Sequence, residues 1–122
     1  MITGTVNHYR ESIILMAITG ANGHTLTVES VVDSGFTGWL RLPLQIINEL
    51  GLHWEETNTA THADGSEIQS DVYEAIVLWD GSLSRISIHE ANAQPLVGMS
   101  MMYGYKITIE NIDGGNVTIE PL

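Results

Sequence analysis

Apolar and β-branched positions along this chain come in short runs separated by glycine-containing turns, a pattern that predicts a mostly β protein. Ile2 to Val6 reads as a first strand. Ser12 to Thr19 and His24 to Val32 read as two more, joined through Gly20-Ala21-Asn22-Gly23 as a hairpin connection. The unbroken run Ile13-Ile14-Leu15-Met16 predicts a strand covered on both faces. Thr25 to Val31 alternates only in part, as expected of a strand that leaves the surface and enters a crowded centre. Trp39, a little further on, is expected in the core.

Pro43 to Leu50 is the clearest helical segment. Pro43 suits a first turn, where its missing N–H has no intrahelical partner, and Gly51 supplies a stop. Leu44, Ile47 and Leu50 recur at helical spacing and predict the buried stripe. His53 to Ala60 and Glu67 to Val77 then read as strands around the turn His62-Ala63-Asp64-Gly65-Ser66. Asp80-Gly81 marks a tight hairpin before Ser84 to His89. Lys106 to Asn111 and Asn116 to Glu120 flank Asp113-Gly114-Gly115. Neither an internal repeat nor a dividing linker interrupts this order, so residues 1–122 are expected to form a single domain.

Composition narrows the functional classes. A hydrophobic content of 43% argues against disorder, and 122 residues suffice for one sizeable core. The longest apolar run, Ile13 to Ile18, is far short of a membrane span, and no basic start followed by an apolar stretch suggests a signal peptide. With no cysteine there are no disulfides, thiol nucleophiles or thiolate metal sites, which is compatible with a reducing, cytoplasmic setting. Fifteen acidic residues against four basic ones give a formal charge of -11. Such a surface repels nucleic acid and anionic lipid, so neither nucleic acid nor membrane is expected as a partner. Any self-association must overcome the same repulsion through an apolar centre, and salt should matter to its strength. His8, His24, His53, His62 and His89 are scattered without metal-binding spacing, so no metal site is expected.

The chemistry concentrates in Val31-Val32-Asp33-Ser34-Gly35-Phe36-Thr37-Gly38. Read alone, Asp33 is equally an Asx-turn residue whose carboxylate caps nearby amides, and Ser34 an ordinary turn hydroxyl. Three further features follow in order: the short helix Leu44 to Leu50, a hairpin with Ala63-Asp64-Gly65 at its tip, and Pro95-Leu96-Val97-Gly98-Met99 leading into a second short helix. Together, over roughly residues 10 to 110, these resemble the retropepsin-like aspartic peptidases, and the start Asp-Ser-Gly-Phe-Thr-Gly is similar to small prokaryotic members. The resemblance implies an all-β acid-protease barrel with one or two short helices, half of a pepsin-type bilobal architecture.

It also implies roles. The family's chemistry needs two carboxylates sharing one proton, and a chain with one motif supplies one of them, so the resemblance implies a homodimer with Asp33 and its copy at the interface. The charged carboxylate would activate a water and the protonated one would donate to the scissile carbonyl, with no metal or cofactor. Ser34 would bond across the axis, and Gly35 would let backbone approach the pair. The Ala63, Asp64 and Gly65 tip would close over a peptide or protein substrate, with Phe36, Thr37, Ile68, Val97 and Gly98 beside it. Leu96 is weighed as core packing rather than pocket wall. The terminal segments Met1 to Val6 and Val117 to Leu122 are expected to interleave in the interface, as relatives' termini do.

This sequence departs from the family pattern at three positions. Ser34 stands where threonine is frequent and keeps the hydroxyl. Phe36 replaces a small residue and either narrows the cleft or turns into the core. Ser100 stands where Asp or Asn is frequent, which bears on helix capping and interface bonding. Two other readings stand beside the peptidase: a catalytically inactive peptide-binding or dimerisation module on the same fold, and a structural β domain in which the Asp-Ser-Gly turn is accidental.

Overall fold

In the computed structural model, which describes residues 1–61 and 63–122, ten strands and two short helices follow one another. The first half contains β1 (Ile2–Val6), β2 (Ser12–Thr19), β3 (Thr25–Val32), β4 (Leu40–Leu42), α1 (Leu44–Leu50) and β5 (His53–Thr61). The second contains β6 (Glu67–Trp79), β7 (Ser82–Glu90), β8 (Leu96–Val97), α2 (Met99–Met102), β9 (Tyr105–Ile109) and β10 (Asn116–Pro121). His62, part of the predicted 62–66 turn, lies outside the described residues.

β2 organises the sheet because both of its edges are occupied. One edge pairs antiparallel with β3 from Ile13↔Val31 to Thr19↔Thr25. The other is divided between β1, at Ser12 and Ile13, and β6, at Ala17 to Thr19. The β6–β2 pairing returns the order β2-β3-β8-β4-β7-β6 to its start, so these six strands close on themselves. Closure removes exposed edges from that part of the sheet. β1, β10 and β9 extend the sheet from the other end of β2.

The period of two decides what this sheet buries. Ile14, Met16 and Ile18 point into the core, joined there by Leu40, Val77, Ile88, Val97 and Ile119. Leu15, between them, is 61% exposed and sits opposite Glu29. The expected two-sided cover of Ile13 to Met16 is thus corrected: the outer face of β2 is uncovered there, because neither short helix lies over it to bury Leu15. In α1, Ile47 and Leu50 are buried as the spacing predicts, whereas Leu44 in the first turn is exposed. Pro43 takes the N-cap position, and Gly51 ends the helix with φ 61°, a left-handed conformation that glycine adopts without Cβ strain. Asp80 and Gly81 both have positive φ, as a two-residue primed turn between β6 and β7 requires.

The terminal strands pair with each other inside the chain. Ile2 lies opposite Ile119 and Gly4 opposite Val117, and β1 also bonds β2 at Thr5 and Val6. Both edges of β1 therefore carry pairings within one chain. Pairing at home is favoured because it buries Val6, Val117 and Ile119 in the same core.

Candidate active site

Asp33 follows directly on β3, where that strand runs parallel to β8 with Val31 opposite Leu96 and Val32 opposite Val97. The Asp33 N–H extends this ladder by donating to the Val97 carbonyl at 2.9 Å. Its side chain is half-buried, and Oδ1 accepts the Gly35 N–H at 2.8 Å. Gly35 suits this turn because a Cβ there would stand 3.2 Å from that same oxygen. One carboxylate oxygen is thus oriented by backbone. Ser34 and Gly35 are exposed at the apex of the loop.

What holds the loop is its seam with α2. The Phe36 N–H donates to the Asp33 carbonyl at 3.2 Å, and the Phe36 carbonyl accepts the Met99 N–H at 2.8 Å. The Trp39 carbonyl accepts the Gly98 N–H at 3.0 Å, and the Gly38 carbonyl accepts the Ser100 N–H at 3.2 Å. Ser100 Oγ adds a 2.6 Å bond to the Thr37 carbonyl. The Ser100 hydroxyl therefore ties α2 to the loop.

Phe36 turns beneath the loop. Its ring meets His89 edge-on, with centroids 5.8 Å apart and planes at 89°, and lies so close to Gly38 and Gly98 that a Cβ at either would fall 2.6 and 2.7 Å from it. His89 is held below the ordinary imidazole range, chiefly by burial, while the charge of Glu56 pulls the other way. Trp39 departs from expectation: it is 40% exposed, because the bend at Gly38 and Trp39 sends the next residue, Leu40, into the core instead. The apolar type of Trp39 carried no signal of this.

The remaining candidates divide between core and hairpin. Val97 is fully buried and Leu96 nearly so, and Gly98 is enclosed by Phe36 and Gly38. Thr37, Ala63, Asp64, Gly65 and Ile68 are exposed. The β5–β6 ladder runs out to Thr61↔Glu67, and at its tip Gly65 has φ 87°. Asp64 Oδ1 accepts the Ser66 hydroxyl at 2.6 Å and the Ser66 N–H at 2.9 Å, and these bonds, the hydroxyl first, hold its carboxyl below the usual range. Nearer the base, Asp71 Oδ1 accepts from Trp54 Nε1 at 3.1 Å and from Thr57 Oγ1 at 2.8 Å, bracing the two strands.

Two open cavities flank these elements. One of about 480 Å³ beside the Asp33 loop is lined by Thr37, Trp39, Met99, Ser100 and Tyr103. Another of about 200 Å³ lies at the β2–β6 junction around His53 and the Glu74–Arg85 ion pair. Asp33 lines neither. No group of three or more metal-ligating side chains comes together among the described residues.

Solved structures with the same architecture carry a catalytic name. The chain superposes on a retropepsin-like aspartic protease from Rickettsia conorii with a TM-score of 0.62 and 17% identity, over 99% of this chain and 90% of that one. It superposes on the EIAV protease complexed with the inhibitor HBY-793 with a TM-score of 0.57 and 12% identity, over 79% and 88% of the two chains. No protein-family profile matches the chain, and no curated protein sequence does. The fold is that of the retropepsin-like aspartic proteases. Among the described residues no helix is long and apolar enough to cross a membrane.

Proposed function

We propose that this chain is an aspartic endopeptidase whose active site forms between two copies, each contributing Asp33. The observation that carries the reading is the orientation of the Asp33 carboxylate by the Gly35 N–H, on a loop pinned to β8 and α2, within this fold. An accidental Asx-turn needs the first bond but not the seam.

Two carboxylates brought together cannot both ionise comfortably, so the pair holds one proton between them. The charged member takes a proton from a water lying between the two. The resulting hydroxide attacks the scissile carbonyl carbon, and the protonated member donates to the carbonyl oxygen. As the tetrahedral intermediate collapses, the hydroxyl formed from the carbonyl oxygen returns its proton to the second carboxylate, while the first carboxyl passes the water's proton to the leaving nitrogen; the C–N bond breaks, the amine is released and the pair again holds one proton. Ser34, exposed at the apex, bonds across the two-fold axis and keeps the loops in register. The β5–β6 hairpin serves as the flap, with Ala63, Gly65 and Ile68 over the peptide and Asp64 rigidifying the tip. Thr37 borders the cleft, whereas Phe36, Val97 and Gly98 support the loop from beneath.

Cleavage of a mixed peptide library at high protein concentration, from about pH 3 to 7 around the carboxylate range, tests the reading against Asp33→Asn. Cleavage that rises with dimer concentration and disappears in Asp33→Asn is the expected result. Cleavage that persists in the variant removes Asp33 from the chemistry. A dimer that never cleaves makes the fold a peptide-binding or dimerisation module.

A further inference from the structure

One face of the sheet carries the main core, and the other carries a smaller layer beneath the Asp33 loop. Across that second face run Val72 on β6, His89 on β7, Arg41 on β4 and Leu96 on β8, each opposite the next in register. Their chain neighbours Ile88, Leu40 and Val97 belong to the core, so by strand alternation this row faces the other way. Val72 and Leu96 are buried there, outside the main core cluster, and His89 and Arg41 are half-buried. Phe36 joins the layer from the loop, its ring meeting that of His89 edge-on at 5.8 Å between centroids. His89 also reaches Gly38, where a Cβ would stand 3.1 Å from the imidazole Cδ2. One imidazole thus lies against both residues whose carbonyls accept from Met99 and Ser100. The Phe36 N–H in turn donates to the Asp33 carbonyl, so a shift of Phe36 reaches Asp33 through a single hydrogen bond.

An imidazole changes its charge near neutral pH, and this position disfavours the charged form. Half-burial removes water from the ring. From β4 the Arg41 guanidinium is a like charge opposite it, with Nε buried and without a partner among the described residues and Nη2 donating to the Gln94 carbonyl at 3.0 Å. Val72 brings no charge from β6 and Leu96 none from β8. The loop brings Phe36 and Gly38 against the ring, while the Asp33 carboxylate is turned to the Gly35 N–H. Glu90, next on β7, falls on the opposite face by alternation, beside Leu42. Glu56, beyond Val72 on β5, is the acidic group that favours the cation. Burial outweighs it and holds the imidazole below its ordinary range.

We propose that His89 is a positioning residue for the Asp33 loop, whose neutral ring seats Phe36 and whose protonation unseats it. The imidazolium can regain water only by leaving the contact with Phe36 and Gly38, and the turn that orients Asp33 then loses its support from beneath. The loop is ordered while His89 is neutral and loosened when it is charged. This seating stands on the packing of Phe36 alone; its consequence for cleavage, an acid limit on the working range, rests on the shared-Asp33 reading.

Phe36 is the only phenylalanine of the chain, so 4-fluorophenylalanine places a single fluorine in the full protein. Fluorine NMR with a soluble paramagnetic agent reads the exposure of that ring from about pH 7.5 to 4.5, bracketing the ordinary imidazole value, alongside peptide cleavage under the same conditions. Exposure should rise as pH falls, in the wild type and in Asp33→Asn alike. His89→Gln, neutral throughout, should remove the pH dependence. His89→Lys, charged throughout, should show the exposed ring already at the neutral end and cleave there on the order of tenfold less than wild type, through misplacement of Asp33. Exposure that stays flat in the wild type, that still rises with acid in His89→Gln, or that no longer rises in Asp33→Asn overturns the proposal and leaves the shared-Asp33 reading standing if the wild type cleaves. Exposure that follows His89 while no protein cleaves upholds the seating of Phe36 and removes the peptidase reading.

Discussion

Replacing Gly98 with alanine adds one methyl group at the place where the loop and α2 are closest. The new Cβ would stand 2.1 Å from the Gly38 carbonyl oxygen and 2.7 Å from both the Phe36 ring and its carbonyl oxygen. Ordinary contact begins at 3.4 Å, so the first of these is about 1.3 Å too short. Two of the three obstacles are backbone atoms and cannot rotate away. The Phe36 ring is itself confined by His89 and Gly38. Relief therefore requires α2 to withdraw, lengthening the bonds from Gly98, Met99 and Ser100 to the loop carbonyls. Overpacking of this kind costs about 1–3 kcal/mol, and each weakened hydrogen bond about 0.5–1.5 kcal/mol. The terms overlap, because moving the helix relieves the clash by breaking the bonds, so a loss of roughly 3 kcal/mol is expected. Urea unfolding followed by far-ultraviolet circular dichroism measures it as a lower midpoint with an unchanged slope. A stability within about 0.5 kcal/mol of wild type, the range of an ordinary surface substitution, would refute the idea that this seam is tightly packed.

Gly35→Ala should behave differently, because its Cβ meets only the Asp33 carboxylate, at 3.2 Å. Stability should change by less than about 1 kcal/mol, while peptide cleavage falls on the order of tenfold through misplacement of the carboxylate; undiminished cleavage would contradict the orienting role of that bond. Ile18→Ala opens a cavity beneath the closed ring at a fully buried position and should cost about 2–5 kcal/mol in urea unfolding, and a smaller loss would mean that the ring collapses to fill it. His89 is held below its ordinary range mainly by burial, so the folded chain binds fewer protons there than the unfolded chain does. Stability from this group is therefore present above the unfolded value of about 6.5 and is lost as pH falls below it. His89→Phe should flatten the fall in Tm between about pH 7 and 5, and an unchanged slope would assign that fall to other groups.

Much of this architecture is written in local sequence. Ile14, Met16 and Ile18 alternate inward as a strand must place them, Pro43 and Gly51 bracket α1, and Asp80-Gly81 makes the turn that its residue types favour. Asp33 was legible as a candidate because an Asp-Ser-Gly turn follows a β-branched run, and its proposed role came from the resemblance of the ordered motifs to retropepsin-like peptidases. These features depend on neighbours within a few residues, where steric and hydrogen-bonding preferences act directly. The tertiary structure alone decided that Leu15 stays uncovered, that Trp39 faces out while Phe36 turns under the loop, and that Ser100 closes the seam to Thr37. It also decided that Ile2 meets Ile119 within one chain, and that β6 returns to close on β2. An apolar side chain records only that burial is favourable. Which surface provides that burial depends on segments far away along the chain, as Ser100 is from Thr37 and Ile119 from Ile2, and no local periodicity carries that information.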